Sequence, residues 1–185
     1  TEHIVFDIFG YDIGFALSLL LGYVSQGYYG LSLALSTDST WSFMLGSSYS
    51  VSVIADRVFG LPFAYEHTYP YIAGYQTGWG ESHWYTIFPW FASDFTFVGT
   101  IPLFGLFAYI YARVWRESIV YENPFSISMF SLLTLGMFFI PANNQLMHSP
   151  GGVMTLALVV FLYLRYRKRY NVSSNPHSRG LLHEP

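Results

Sequence analysis

The stretch GWGESHWYTIFPWFASDFTF, residues 78–97, sets Glu81, His83 and Asp94 among aromatic side chains. Carboxylates and imidazoles are the groups that take and return protons in a transfer reaction. Upstream, YEHTYP at 65–70 places Glu66 beside His67, so Glu66, His67 and His83 are all candidates for a general base. Asp94 falls inside a strongly apolar run. An ionisable group in a membrane helix is costly, and by default it lines a site or pairs inside the bundle. Its other reading is a carboxylate favoured by a helix N-terminus. Arg57 offers a planar, permanently charged fork that suits the phosphates of a lipid diphosphate; its other reading is a salt bridge to adjacent Asp56 or to a lipid headgroup.

The surrounding segment, 37–88, is rich in Trp and Tyr, interleaved with Gly, Ser and Thr. Aromatic faces stack on the C–H faces of sugar rings, and short polar groups bond sugar hydroxyls. Trp79, Trp84 and Glu81 therefore join Arg57 as candidate substrate-binding residues, against the alternative of an interfacial aromatic belt. A second polar group, PANNQ at 141–145, stands at the end of an apolar run. Asn143, Asn144 and Gln145 supply many donors and acceptors, either for sugar hydroxyls and a diphosphate oxygen or as caps of the preceding helix. No metal-ligand spacing, phosphate-cradling Gly loop or nucleophile elbow is present, so neither metal nor cofactor is expected and a hydrolase is disfavoured.

The elements that must position these residues follow from composition. Of 185 residues, 52% are hydrophobic and only 10% charged, where soluble domains carry about 25% charged residues. That balance predicts an integral-membrane protein, all-α, a polytopic bundle with a long extracytoplasmic aromatic-rich loop containing short helices. The net charge of −3 gives no sign of nucleic-acid binding, and zero cysteines exclude disulfides and thiolate sites. One membrane domain is expected over 1–185, with spans near 13–35, 89–112, 124–140 and 152–166. The first is read as interrupted by SQGYYG at 25–30, its C-terminal half being either part of the span or an interfacial helix. Pro89 and Pro124 suit first helical positions, Asn123 an N-cap, and Pro102 a kink.

Basic residues set the orientation. Arg113 and Arg116 lie between spans two and three, and Arg165, Arg167, Lys168, Arg169 and Arg179 lie at and beyond the C-terminal end of span four. The positive-inside rule then puts the 113–123 loop and a 167–185 tail in the cytoplasm, with loop 37–88 and turn 141–152 outside. The last residues, from Asn171, are expected to be disordered. The start at Thr1, without Met or signal pattern, reads as the C-terminal part of a longer membrane protein.

QGYYGLSLAL at 26–35, WYTIFPWFASDFTFVG at 84–99 and PANNQ at 141–145, in this order around a long polar-aromatic loop, carry a resemblance. Over residues 11–165 the chain resembles the C-terminal half of bacterial oligosaccharide repeat-unit polymerases, the O-antigen polymerase family. His83, Asp94 and Gly99 also echo, at longer spacing, a pattern of O-antigen ligases. The resemblance implies a multi-pass protein of the bacterial inner membrane, with its C-terminus cytoplasmic. It implies a metal-independent glycosyltransferase that moves a glycan from undecaprenyl diphosphate onto the sugar end of another lipid-linked repeat unit at the periplasmic face. Its partners would be the undecaprenyl-diphosphate-linked oligosaccharide, membrane lipids and a chain-length regulator protein. Arg57 would hold diphosphate, one of Glu66, His67 and His83 would be the base, and Asp94 would orient the acceptor or the histidine. A ligase differs only in acceptor. A transporter or flippase would instead use Asp94 and the SQG break to line a path.

Overall fold

The computed structural model describes residues 2–38, 41–81, 83–121 and 123–173, and among them every regular element is helical. Long helix α1 (Glu2–Leu35) is followed by three short helices, α2 (Tyr49–Phe59), α3 (Phe63–Glu66) and α4 (Tyr69–Thr77), and a 3-10 turn at Trp79–Glu81. Then come α5 (Ile87–Val120), α6 (Pro124–Phe138), one-turn α7 (Gln145–His148) and α8 (Pro150–Ser173). Two stretches, Ile8–Leu35 and Ile87–Val120, are long and apolar enough to cross a membrane; α6 is shorter. Their large apolar side chains, among them Leu21, Val98 and Ile101, are exposed. This is the outward pattern of a helix whose solvent is hydrocarbon.

The first helix is not interrupted at SQGYYG. It runs unbroken through that stretch to Leu35, and its non-helical residue is Gly10, at φ 75° and ψ 171°. The glycines of SQGYYG act in packing instead. A Cβ on Gly27 would collide with the Pro141 carbonyl, and one on Gly30 would come within 2.8 Å of the Trp84 carbonyl and 2.9 Å of Trp79 Nε1. Bare backbone there lets α1 lie against both the segment entering α5 and the turn after α6. The Gly27 carbonyl accepts from Thr86 N at 3.3 Å.

Helix α5 departs from expectation at both marked positions. It begins at Ile87 after Thr86, so Pro89 is its third residue. Its break falls at Thr96 (φ 62°, ψ 162°), while Pro102 stays within the helix. Thr96 acts as an N-cap for the longer C-terminal part of α5, since its Oγ1 accepts from Gly99 N at 3.2 Å. α6 starts as expected, with Asn123 Oδ1 accepting from Phe125 N at 3.0 Å and Pro124 in the first position. It ends at Phe138, before Pro141. α8 continues to Ser173, three residues into the tail expected to be disordered; residues 174–185 lie outside those described.

Among the described residues, two small cores hold the helices together. Ala34, Ala73 and Tyr85 join α1, α4 and the segment before α5. Val114, Met129 and Tyr163 join α5, α6 and α8. Beside the second core lies Glu117, buried, bonded to Arg113 Nε at 3.3 Å, Arg167 Nε at 2.8 Å and the Tyr163 hydroxyl at 2.9 Å. Asp94 and Glu117 thus mark opposite ends of α5.

Candidate functional site

Asp94 is buried, and its carboxylate is fully engaged. Oδ1 accepts from Ser42 Oγ at 2.5 Å and Gly46 N at 3.2 Å; Oδ2 accepts from Ser47 N at 2.7 Å and Ser47 Oγ at 2.5 Å. Around it the backbone is strained. Phe43 and Met44 both take positive φ (56° and 66°) in a turn closed by Leu45 N to Ser42 O at 3.1 Å. With Thr96 they are the non-glycine residues of positive φ among those described, and all flank this one carboxylate. Each such residue costs about 1–3 kcal/mol, and charge-assisted hydrogen bonds are the interactions strong enough to hold them.

What the carboxylate holds is a cleft wall. The turn it pins leads into 47–50, where Ser48 Oγ donates to Met147 O at 2.7 Å and Ser50 Oγ to His148 O at 2.6 Å. Asn144 Nδ2 donates back to Ser47 O at 2.6 Å. Tyr49 stacks on His148 with ring centroids 4.7 Å apart. The neighbour of Asp94 secures the opposite wall, because Ser93 Oγ accepts from Tyr69 N at 3.0 Å and so fixes the start of α4. Two consecutive residues of α5 therefore set both sides.

Between those walls lies a cleft of about 580 Å³, lined by Tyr49, Tyr65, Tyr71, Tyr75, Tyr85, Trp84, Trp90, His83, Asn143 and His148, with Pro70, Gly74 and Gly80. Two of its polar atoms are buried without a hydrogen-bond partner among the described residues: the Tyr85 hydroxyl and the Trp90 Nε1. Tyr85 is 4% exposed and Trp90 6%. Native proteins rarely strand such groups unless a ligand or water meets them. Burial pushes the Tyr85 phenol up to about 12, so it stays a donor. The Tyr65 phenol is raised for the same reason, with Tyr49 and Tyr71 adding to the effect.

The two cleft histidines differ. His83 stacks on Trp79, centroids 4.1 Å apart, and Trp79 Nε1 donates to the Trp84 carbonyl at 3.2 Å. Burial lowers the pKa of His148, which favours neutral imidazole. Its Nδ1 lies 3.2 Å from Asn143 Nδ2, and Asn143 Oδ1 accepts from Asn144 N at 2.7 Å. That second bond orients the Asn143 amide, so its NH2 faces the ring. Nδ1 is then the acceptor, and Nε2 carries the proton. In this arrangement His148 is a donor.

The other candidates lie elsewhere. Glu66 is exposed at the end of α3, and His67 bonds the Trp41 carbonyl through Nδ1 at 3.2 Å; neither lines the cleft. Arg57 is exposed in the last turn of α2. Asn144 is buried and engaged with Ser47, whereas Gln145 is exposed at the start of α7. Glu81 closes the 3-10 turn, and its side chain falls outside the described residues. Trp84 lines the cleft while its Nε1 holds the Tyr23 carbonyl at 2.9 Å. Sequence reasoning did not single out Tyr49, Tyr65, Tyr85, Trp90 or His148, all of which line the cleft. Only the HSPGG turn signal after His148 hinted at its place beside an element boundary. No group of three or more His, Cys, Asp or Glu among the described residues is arranged to hold a metal.

The fold and site define an all-α protein with two membrane-length helices and an aromatic, hydroxyl-rich cleft at one end of the second. No protein-family model, curated protein or solved structure matches the chain significantly.

Proposed function

We propose that this protein is a membrane glycosyltransferase that polymerises undecaprenyl-diphosphate-linked oligosaccharide repeat units at the outer face of the bacterial inner membrane. The observation that carries the proposal is the cleft: aromatic faces for sugar rings, two histidines, and two buried, unpartnered donors at Tyr85 and Trp90. A saccharide supplies what they lack, apolar C–H faces beside hydroxyl oxygens. The family resemblance supplies the lipid-linked donor.

In this reading the bundle is polytopic, with α6 and α8 as further spans. The cleft faces the periplasm, because Arg113, Arg116, Arg165 and Arg167 gather at the opposite end. Tyr65, Tyr71 and Trp84 seat the acceptor sugar, and the Tyr85 hydroxyl and Trp90 N–H bond its oxygens. His83 takes the proton of the acceptor hydroxyl as its oxygen attacks the anomeric carbon of the donor glycan. The bond from that carbon to the diphosphate breaks, and undecaprenyl diphosphate leaves with the electron pair. His148 donates a hydrogen bond, and Arg57 meets the lipid diphosphate at the membrane surface. Asp94 is a positioning residue that acts through Ser47 and α7.

The test is the surface-glycan ladder of cells whose gene carries His83→Ala or Trp90→Phe, with membrane levels checked. Collapse to single repeat units at normal protein levels supports polymerisation. A full ladder from both variants contradicts it, and loss of single units too points to transport or ligation.

A further inference from the structure

Two cavities meet at the basic end of the molecule. One is an apolar groove of about 460 Å³ between α5, α6 and α8, with Phe104 and Phe107 on one wall and Leu133 and Val160 on the others. The second, about 510 Å³, is polar and lined by Arg113, Arg116, Glu117 and Arg167. Arg113 and Arg167 line both, so the apolar groove opens directly into the arginine pocket.

The pocket is electrostatically unbalanced. Among the described residues, three guanidiniums face one carboxylate. Glu117 takes Arg113 and Arg167 through Nε alone, which leaves the terminal N–H groups of both forks without a protein partner among the described residues. The Tyr163 ring, with the Arg167 guanidinium carbon 5.7 Å from its centroid, fixes the second fork further. Arg116 is exposed, and its side chain makes no ion pair or hydrogen bond among the described residues. Forks held in place with their outer donors unused are suited to phosphate oxygens. Their depth also fits: from Phe97 to Arg113 the helix advances about 24 Å at ~1.5 Å per residue, most of a hydrocarbon core of roughly 30 Å.

We infer that this joined groove and pocket bind an anionic glycerophospholipid, its acyl chain in the groove and its phosphate on Arg113, Arg116 and Arg167. A free phosphate would leave the continuous apolar groove without an occupant. A neutral lipid would leave the excess of positive charge unanswered. The arginine pocket that takes the phosphate lies at the opposite end of α5 from the aromatic cleft, and the inference does not depend on the glycosyltransferase reading.

The test uses the full-length protein in mild detergent with equimolar dioleoyl phosphatidylglycerol and dioleoyl phosphatidylcholine, bound lipid being read by native mass spectrometry. Phosphatidylglycerol should be retained in preference, and selectivity should fall about fivefold for each arginine removed in Arg116→Gln and Arg113→Gln/Arg116→Gln. Arg116→Gln leaves the Glu117 cluster intact, so it remains informative if the double variant is poorly folded. Four results would each overturn the inference. They are equal retention of both lipids, no lipid retained, displacement by sn-glycerol 3-phosphate as effectively as by intact lipid, and preferential displacement by a polyprenyl diphosphate.

Discussion

The two ends of α5 are each organised by a buried carboxylate, and the carboxylates are answered differently. Asp94 is met by neutral donors, two serine hydroxyls and two backbone N–H groups of one short turn. Glu117 is met by two guanidiniums and a phenol from its own helix and α8. The first arrangement shapes a loop, because backbone donors fix backbone conformation, here through the strained Phe43 and Met44. The second staples helices and leaves the arginine forks half used. A loop pinned this way makes a precise cleft wall, whereas a staple with spare donors makes a place for an anion.

That contrast can be broken experimentally. The largest effect is expected from Asp94→Ala, which strands both serines and two backbone N–H groups. It should cost about 3 kcal/mol or more of stability, read as a lowered thermal midpoint in detergent. Asp94→Asn, which keeps one acceptor oxygen, should cost about half as much. If Asp94→Ala melts like wild type, the carboxylate does not hold the turn. Glu117→Gln comes next. It should cost about 2 kcal/mol, a discounted figure because the Arg167 side chain is 24% exposed and partly screened. Its cleft chemistry should be unchanged, and a parallel loss of transfer would show that the two ends are coupled.

A smaller change of opposite sign is expected from Thr96→Gly. Glycine accepts φ 62° without penalty, and at an N-cap it costs only a few tenths of a kcal/mol relative to threonine. Stability should rise by about 1 kcal/mol. A fall would mean that the break is held by more than its local conformation. The smallest effect concerns pH. Burial lowers the His148 pKa in the folded state, so the unfolded chain binds the proton first as pH falls. Its contribution is complete above an unfolded value near ~6.5 and is lost progressively below it, down to the depressed folded value. The thermal midpoint should therefore drop more steeply with acidification in wild type than in His148→Gln. Equal slopes would place the acid sensitivity elsewhere.

The helical nature of the chain was legible because long apolar runs leave few alternatives, and the start of α6 was legible because Asn123 and Pro124 are local signals. The break in α5 was not. Pro102 is the conspicuous helix breaker, yet the break sits at Thr96, where tertiary bonds to Ser93 and Asp94 fix the preceding turn. SQGYYG reads as an interruption by composition, whereas its glycines serve contacts with Pro141 and Trp84 that are distant in sequence. The same limit governed the site. Asp94 stands out in the sequence as a charge in an apolar run, but a carboxylate's partners cannot be read from its neighbours in the chain, and its four donors lie some fifty residues upstream. Tyr85 and Trp90 look like ordinary aromatic residues at a helix start. Only the fold shows that their polar atoms are buried without partners among the described residues.

The most direct measurement is transfer by the purified full-length protein. Wild type, Tyr85→Phe and His83→Ala would be incubated with undecaprenyl-diphosphate-linked repeat units, and product length and released undecaprenyl diphosphate tracked together. The expected result is chain growth with one diphosphate released per unit joined, growth weakened in Tyr85→Phe and abolished in His83→Ala, while Tyr85→Phe melts no lower than wild type. Removing an unpartnered buried hydroxyl should cost the fold nothing. Full-rate growth by both variants would contradict the cleft as the site of transfer.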